Sequence, residues 1–414
     1  MLLEFAVENY LSIKEEQVLS MLASKADKSL PDNLLDLRVT NDRILNGAVI
    51  YGANASGKSN LLHSIRKMKS LVVNSGKLNE GDSIPVVPFI FDALYGEKPS
   101  KFEICCMIEN IKYVYGFSVS KERVHEEYLY YYPKARKSLI FDRHEDQYKF
   151  TKDKEEQLVL SKRTLPNRLY LAEATNWNYT ETRPVFKWFK EKLIIEVSSH
   201  AEPITTAHKV LQDELFSKFT KKLLHQVDLG INNFEVEKKI LSIEELPEEM
   251  PKPVKEVLAG EDWISIQIGH LLDNEIHRIS LSDESDGTQR IFGLSAHLYD
   301  VLRKGGILVI DELENSLHPL IVQFLVSLFA DKTQNQNGAQ LIFSTHNTSL
   351  LNLELFRRDQ IWFTEKHPEK LNTELYSLFD IKARKDENPA KGYLMGRYGA
   401  IPVLGSGILF PVDG

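Results

Sequence analysis

The sequence predicts an α/β fold: a mixed sheet joined to an antiparallel β lobe, with a largely helical insertion between the two halves of the sheet. Three observations carry that prediction. The apolar run "GAVIYG" passes through a loop of small residues into a helical pattern. A block rich in aromatic and β-branched residues follows it. Late in the chain, two further uninterrupted apolar runs, in "GGILVIDE" and "AQLIFSTHN", are separated by one helix, as strands of a parallel sheet covered on both faces would be.

Taken in order, "LLEFAVENYLSI" alternates apolar and polar residues as a half-buried strand does. After "GAVIYG", Leu61, Leu62, Ile65, Met68 and Leu71 recur on one helical face. From about Pro85 to Tyr132 the aromatic, β-branched composition with turn breaks indicates the antiparallel lobe. Residues 133–264 become mixed and increasingly helical, with Pro184 near a helix start and the charged stretch "SIEELPEEMPKPVKEV". The α/β pattern then resumes with "QRIFGLSAHLYDVL" and "HPLIVQFLVSLFA" as helices. The expected division is 1–132, 133–264, 265–380 and a tail, 381–414.

Composition narrows the class. With 414 residues, 43% hydrophobic and 27% charged, the chain can bury a large core. No apolar run approaches the roughly 18 to 20 residues of a membrane span, and Glu4 and Glu8 stand where a signal peptide would be basic and then apolar. The expectation is a cytoplasmic protein with no membrane partner. Cys105 and Cys106 are adjacent in a strand-like run and should point to opposite faces, which excludes a disulfide framework and a thiolate zinc site. A net charge of -8 argues against DNA coating the whole surface, while a local basic patch would survive that average.

Residues 52–59, "GANASGKS", satisfy G-x-x-x-x-G-K-[ST] between a predicted strand and a predicted helix. Gly52, Asn54, Ser56, Gly57 and Asn60 belong to a backbone that would wrap triphosphate oxygens. Lys58 would lie against the β- and γ-phosphates, and Ser59 would offer its hydroxyl to Mg²⁺. ATP and Mg²⁺ are therefore the expected ligands. Asp311 and Glu312 stand where the "ILVI" strand ends, and ligand sites in open α/β sheets lie beyond the carboxyl ends of strands. There Asp311 would reach the metal shell and Glu312 the attacking water; acids decorating a helix N-terminus are the plainer reading. His346 ends the next apolar strand, from which it could touch the γ-phosphate or serve as a structural residue. Ser285 and Gly287 precede an amphipathic helix and, by themselves, describe an ordinary helix cap.

Taken together, "ENYLS", "GANASGKSN", "ESDGTQR", "ILVIDELENSLHP" and "FSTHN" resemble the ABC-type ATPase heads of chromosome-maintenance and recombination-repair proteins. They are most similar to bacterial ATPases of the overcoming-lysogenization-defect and abortive-infection (RloA-like) type, which the tail "RKDENPAKGYLMGRYGAIPVLG" also resembles. The resemblance covers about residues 1 to 120 and 265 to 414. It implies a P-loop head that is half an active site and closes as a homodimer, with Ser285 and Gly287 reaching the γ-phosphate on the other subunit. Asn315 to His318 would form the loop at the dimer seam. His318 stands where such heads usually carry aspartate, and "ESDGT" replaces the common "LSGGQ", which points away from a transporter.

The function this implies is ATP hydrolysis by a sensor or assembly platform that controls a separate effector, plausibly a nuclease from a neighbouring gene, in anti-phage defence. A DNA-repair ATPase that binds DNA directly is the alternative, for which Arg66, Lys67 and Lys69 are compatible. A nucleotide-binding scaffold without turnover is the third. In the tail, Asp380, Asp386 and Glu387 mix with Lys382, Arg384, Lys385, Lys391 and Arg397, a pattern of partner docking, nucleic-acid contact or a plain solvated face.

Overall fold

The structure, a computed structural model, describes residues 1–37, 42–197, 203–240, 250–258, 262–383 and 387–402. Of the tail residues named above, Arg384, Lys385 and Asp386 lie outside the described residues, as does most of the "SIEELPEEM" stretch. The chain divides into two compact units. Met1–Val197, Leu302–Leu313 and Gln323–Gly414 make one, and Ser198–Val301 with Glu314–Val322 make the other.

In the first unit, the apolar runs pair as strands of a six-stranded sheet. Its order is Leu193–Glu196, Ile307–Ile310, Gln340–Ser344, Gly47–Gly52, Ile361–Lys366 and Thr373–Ser377, with every neighbouring pair parallel except the last. Every residue of Gly47–Gly52, Ile307–Ile310 and Gln340–Ser344 is buried, as continuous apolar strands covered on both faces require. The register places Ile310 opposite Phe343 and Phe343 opposite Val49, so the carboxyl ends of these three strands emerge at one edge. The helix Lys58–Asn74 buries Leu61, Leu62, Ile65, Met68 and Leu71, the face its spacing indicated.

The same unit holds a seven-stranded antiparallel sheet. Its order is Gln147–Phe150, Ser138–His144, Val124–Tyr132, Ile111–Val119, Ser100–Ile108, Leu2–Glu8 and Gln17–Ser20. The opening strand thus belongs to the lobe, and it stops at Glu8 because Asn9 and Leu11 take left-handed φ of 54° and 52°. The lobe also runs on past Tyr132, and Leu193–Glu196 joins the parallel sheet, so the stretch read as an insertion supplies strands to this unit. Gln340 ties the two sheets: its Oε1 accepts from Leu2 N at 2.6 Å, and its Nε2 donates to Leu2 O and Leu45 O. Cys105 and Cys106 are both free and buried, and burial pushes the Cys106 thiol up to about 12.

The second unit combines the helices Pro203–Gln212 and Glu214–Val227 with an antiparallel sheet of Ile231–Ile240, Asp262–Leu272 and Glu275–Ser280. Asp273 and Asn274, at φ of 49° and 66°, turn the last hairpin. Its first strand lies in the stretch read as mixed and increasingly helical, and the other two lie almost wholly in the segment read as the second part of the head.

A buried charge pair locks the lobe to the helix Tyr170–Asn176. Glu127 accepts from Tyr170 N, Leu171 N and the Tyr115 hydroxyl, and Arg143 Nη1 lies 3.5 Å from its Oε2. Burial pushes the Glu127 carboxyl up against the opposing pull of Arg143. Arg143→Met would leave that carboxylate without its counter-charge. Urea unfolding should register a loss of about 3 to 5 kcal/mol, and a change within error would show that the pair does not hold the lobe.

Candidate functional site

The phosphate-loop motif sits where the buried strand Gly47–Gly52 ends and the helix Lys58–Asn74 begins. Two of its glycines are required by close packing. A Cβ at Gly52 would lie 2.4 Å from Ser56 Oγ and 2.6 Å from Thr364 O. Gly57 has φ of +109°, and a Cβ there would lie 2.2 Å from Thr373 Oγ1. Gly57 stands at the helix N-cap, so no side chain covers the first-turn N–H groups, which leaves them suited to an anionic oxygen.

Hydroxyl groups hold the loop in this shape. Ser56 Oγ and Thr364 Oγ1 are 2.7 Å apart, and Thr373 Oγ1 donates to Ser56 O at 2.9 Å. Ser12 Oγ lies 2.7 Å from Thr373 Oγ1 and accepts from Asn60 Nδ2 at 2.7 Å. Lys58 is buried, and its Nζ donates to the carbonyl oxygens of Gly52 and Ala53 at 2.9 and 3.1 Å, which offsets the cost of placing an ammonium there. Asn54 is exposed and Ser59 half-buried.

Asp311 and Glu312 follow Ile307–Ile310, and His346 follows the neighbouring strand Gln340–Ser344. Ser344 organises both acids: its hydroxyl donates to Asp311 Oδ1 and accepts from Glu312 N at 2.8 Å. Glu312 has a left-handed φ of 51°, uncommon for a residue with a side chain and typical of functional turns. His346 Nε2 lies 3.7 Å from Glu312 Oε1, with both side chains about half exposed. The His346 segment also touches the phosphate-loop strand, since Thr345 N donates to Ile50 O and the Tyr51 hydroxyl donates to Asn347 O.

Ser285 and Gly287 belong to the second unit. The Ser285 hydroxyl accepts from Thr288 N at 3.1 Å, the helix cap their sequence described. A Cβ on Gly287 would come within 2.9 Å of Ser316 O, so this segment packs closely on the Asn315 to His318 loop. Sequence reasoning missed Ser12, Thr364, Thr373 and Ser344. Ser344 and Ser12 lay inside quoted motifs, whereas the two threonines sit in strands with no local signal.

The comparisons with known proteins add the family. The one described as "AAA domain, putative AbiEii toxin, Type IV TA system" matches residues 48–352, well over half of the chain. The chain belongs to that AAA-domain family. The match runs from the phosphate-loop strand past His346, so this AAA-domain protein carries a P-loop ATPase domain across the whole site. Among solved structures it is similar to an SMC head bound to the C-terminal winged-helix domain of ScpA. There the identity is 11% and the TM-score 0.43, covering 91% of this chain and 97% of that one. It is also similar to the SMC head domain from Thermotoga maritima, at 12% identity and a TM-score of 0.41, covering 91% and 98%. No curated protein matches.

Substitution of Gly57 by alanine tests the tight loop. Strain from the positive φ and the clash with Thr373 should weaken MgATP binding at least tenfold, a cost within the roughly 1 to 3 kcal/mol of a forced backbone. Unchanged affinity in a calorimetric titration would contradict the packing described.

Proposed function

We propose that the protein is an ATP-hydrolysing ABC-type ATPase of the overcoming-lysogenization-defect and abortive-infection kind, whose heads pair around ATP and control a separate effector in anti-phage defence. One observation carries the reading: three parallel strands end at one edge with the phosphate loop, the Asp311–Glu312 pair and His346. Lys58, the loop amides and Asn60 would hold the triphosphate. Ser59 and Asp311 offer the hard oxygen donors that Mg²⁺ prefers, and the cation supplies neutralisation of charge on the phosphates.

Glu312 is the group that would orient and deprotonate the attacking water, since its backbone is fixed by Ser344 while its carboxylate is half exposed. His346, beside that carboxylate, would respond to the γ-phosphate. Ser285 and Gly287 would act on the nucleotide of a partner subunit, with the Asn315 to His318 loop at the seam. ATP then stabilises the paired state and ADP does not. Roughly 3 kcal/mol of differential contact changes paired occupancy by about a hundredfold. The toxin–antitoxin description of the family supports an effector-control role.

Phosphate release with the full chain is the test. Glu312→Gln should retain MgATP binding and lose turnover by roughly a hundredfold or more, accumulating paired heads in sedimentation. Lys58→Ala should weaken binding itself. Equal, unimpaired turnover in both variants would remove these residues from the mechanism.

A further inference from the structure

A nearly buried carboxylate stands directly before Ser285. The Glu284 side chain is 8% exposed, and its Oε1 lies 2.5 Å from His270 Nε2. An ionised carboxylate only accepts, so the imidazole donates. His270 reaches it from the strand Asp262–Leu272. The bond therefore ties the central strand of the second unit's sheet to the segment that enters the helix Asp286–Lys304.

The sheet is shaped to aim that imidazole. Ile231 pairs with His270 and Asn233 with Gly269, so the strand Ile231–Ile240 carries one extra residue there, a bulge of the kind that redirects a side chain. Glycine is required at 269, since a Cβ there would lie 2.0 Å from Asn233 Oδ1. His225 Nδ1 lies 2.9 Å from Ile231 O, and Ile231 N donates to Asp228 O, which fixes the start of the bulged strand. On the other side of the contact, Glu284 N donates to Leu281 O, and Gln289 Nε2 donates to Glu284 O at 2.9 Å. Both backbone groups of Glu284 and its carboxylate are thus held.

The helix cap needs none of this, because Ser285 Oγ accepts from Thr288 N with its own hydroxyl. A solvated residue at 284 would leave that cap equally satisfied, whereas an acid taken out of water costs stability unless it is paired. What the pair adds is a fixed direction of approach for Ser285, which is itself exposed. We infer that His270 and Glu284 are positioning residues for ATP hydrolysis: the hydrogen bond between them sets the direction in which Ser285 faces the nucleotide of the partner subunit. The inference rests on the role proposed above for Ser285. The sheet of the second unit then acts on turnover through one hydrogen bond, without touching nucleotide.

The test is steady-state ATP hydrolysis and MgATP binding by the full chain. His270→Ala should lower kcat about tenfold, the scale of a lost hydrogen bond to a charged group, and leave MgATP affinity within about twofold, because the phosphate loop keeps its own contacts. Glu284→Ala should match it, whereas Glu284→Gln, which keeps an acceptor oxygen, should stay within about threefold of the unsubstituted chain. In a Ser285→Ala background, His270→Ala should add no further loss, since residues that act through one group are not additive. A further loss of about tenfold in that background, equal losses in Glu284→Gln and Glu284→Ala, or a loss confined to MgATP affinity would show a packing role and overturn the inference. So would an undiminished kcat in His270→Ala. Unimpaired turnover in Ser285→Ala would overturn the role of Ser285 and the inference with it. Absence of hydrolysis by the unsubstituted chain would instead overturn the ATPase reading on which both stand.

Discussion

The parallel register of three buried strands is the constraint on which the site depends. Ile310, Phe343 and Val49 lie side by side, so three loops far apart in the chain must leave the sheet at one edge. That register brings the segments that carry Asp311, His346 and Lys58 to one edge. The strands hold register because each is buried throughout, and a slip by one residue would reverse every side chain. Backbone bonds extend the register into the loops, through Asp311 N to Glu196 O and Thr345 N to Ile50 O.

Hydroxyl groups then refine what the register delivers. Ser344 serves both acids at once, and Ser56, Thr364, Thr373 and Ser12 connect the phosphate loop to strands on its other side. Such short side chains add geometry with little conformational entropy to lose. They also leave room: small residues at 52, 53, 55, 56 and 57 keep the loop narrow enough for its amides to approach a ligand. For the proposed reaction, preorganised amides and a carboxylate on a fixed backbone would need little rearrangement as charge develops. In the second unit, Ser285 caps its helix and Gly287 allows close approach of Ser316.

Much of this was readable from residues alone, for definite physical reasons. The phosphate loop constrains residue type at each motif position, and the parallel strands announce themselves as unbroken apolar runs. Leu193–Glu196 was not readable because three apolar residues following a helical stretch carry no period of their own. The strand beginning at Leu2 was extended too far, since its alternation continues through "NYLS" although the Tyr10–Ile13 pairing forces a turn there. The hairpin at Asp273 and Asn274 was not read from the sequence, although Asp and Asn are residues that tolerate such turn conformations. Thr364 and Thr373 were illegible because a threonine in a strand is ordinary until its partner, some 300 positions away, is known. Phe91 read as part of a β lobe, and only the fold brings it beside Lys58.

The central claim is that Lys58, Asp311 and His346 act on one triphosphate. A structure of the full chain with magnesium and a non-hydrolysable ATP analogue measures this most directly. The expected result is a γ-phosphate lying against Lys58, with Asp311 and His346 turned to that same phosphate group. A triphosphate bound elsewhere, or one on the loop with Asp311 and His346 facing away from it, would contradict the claim.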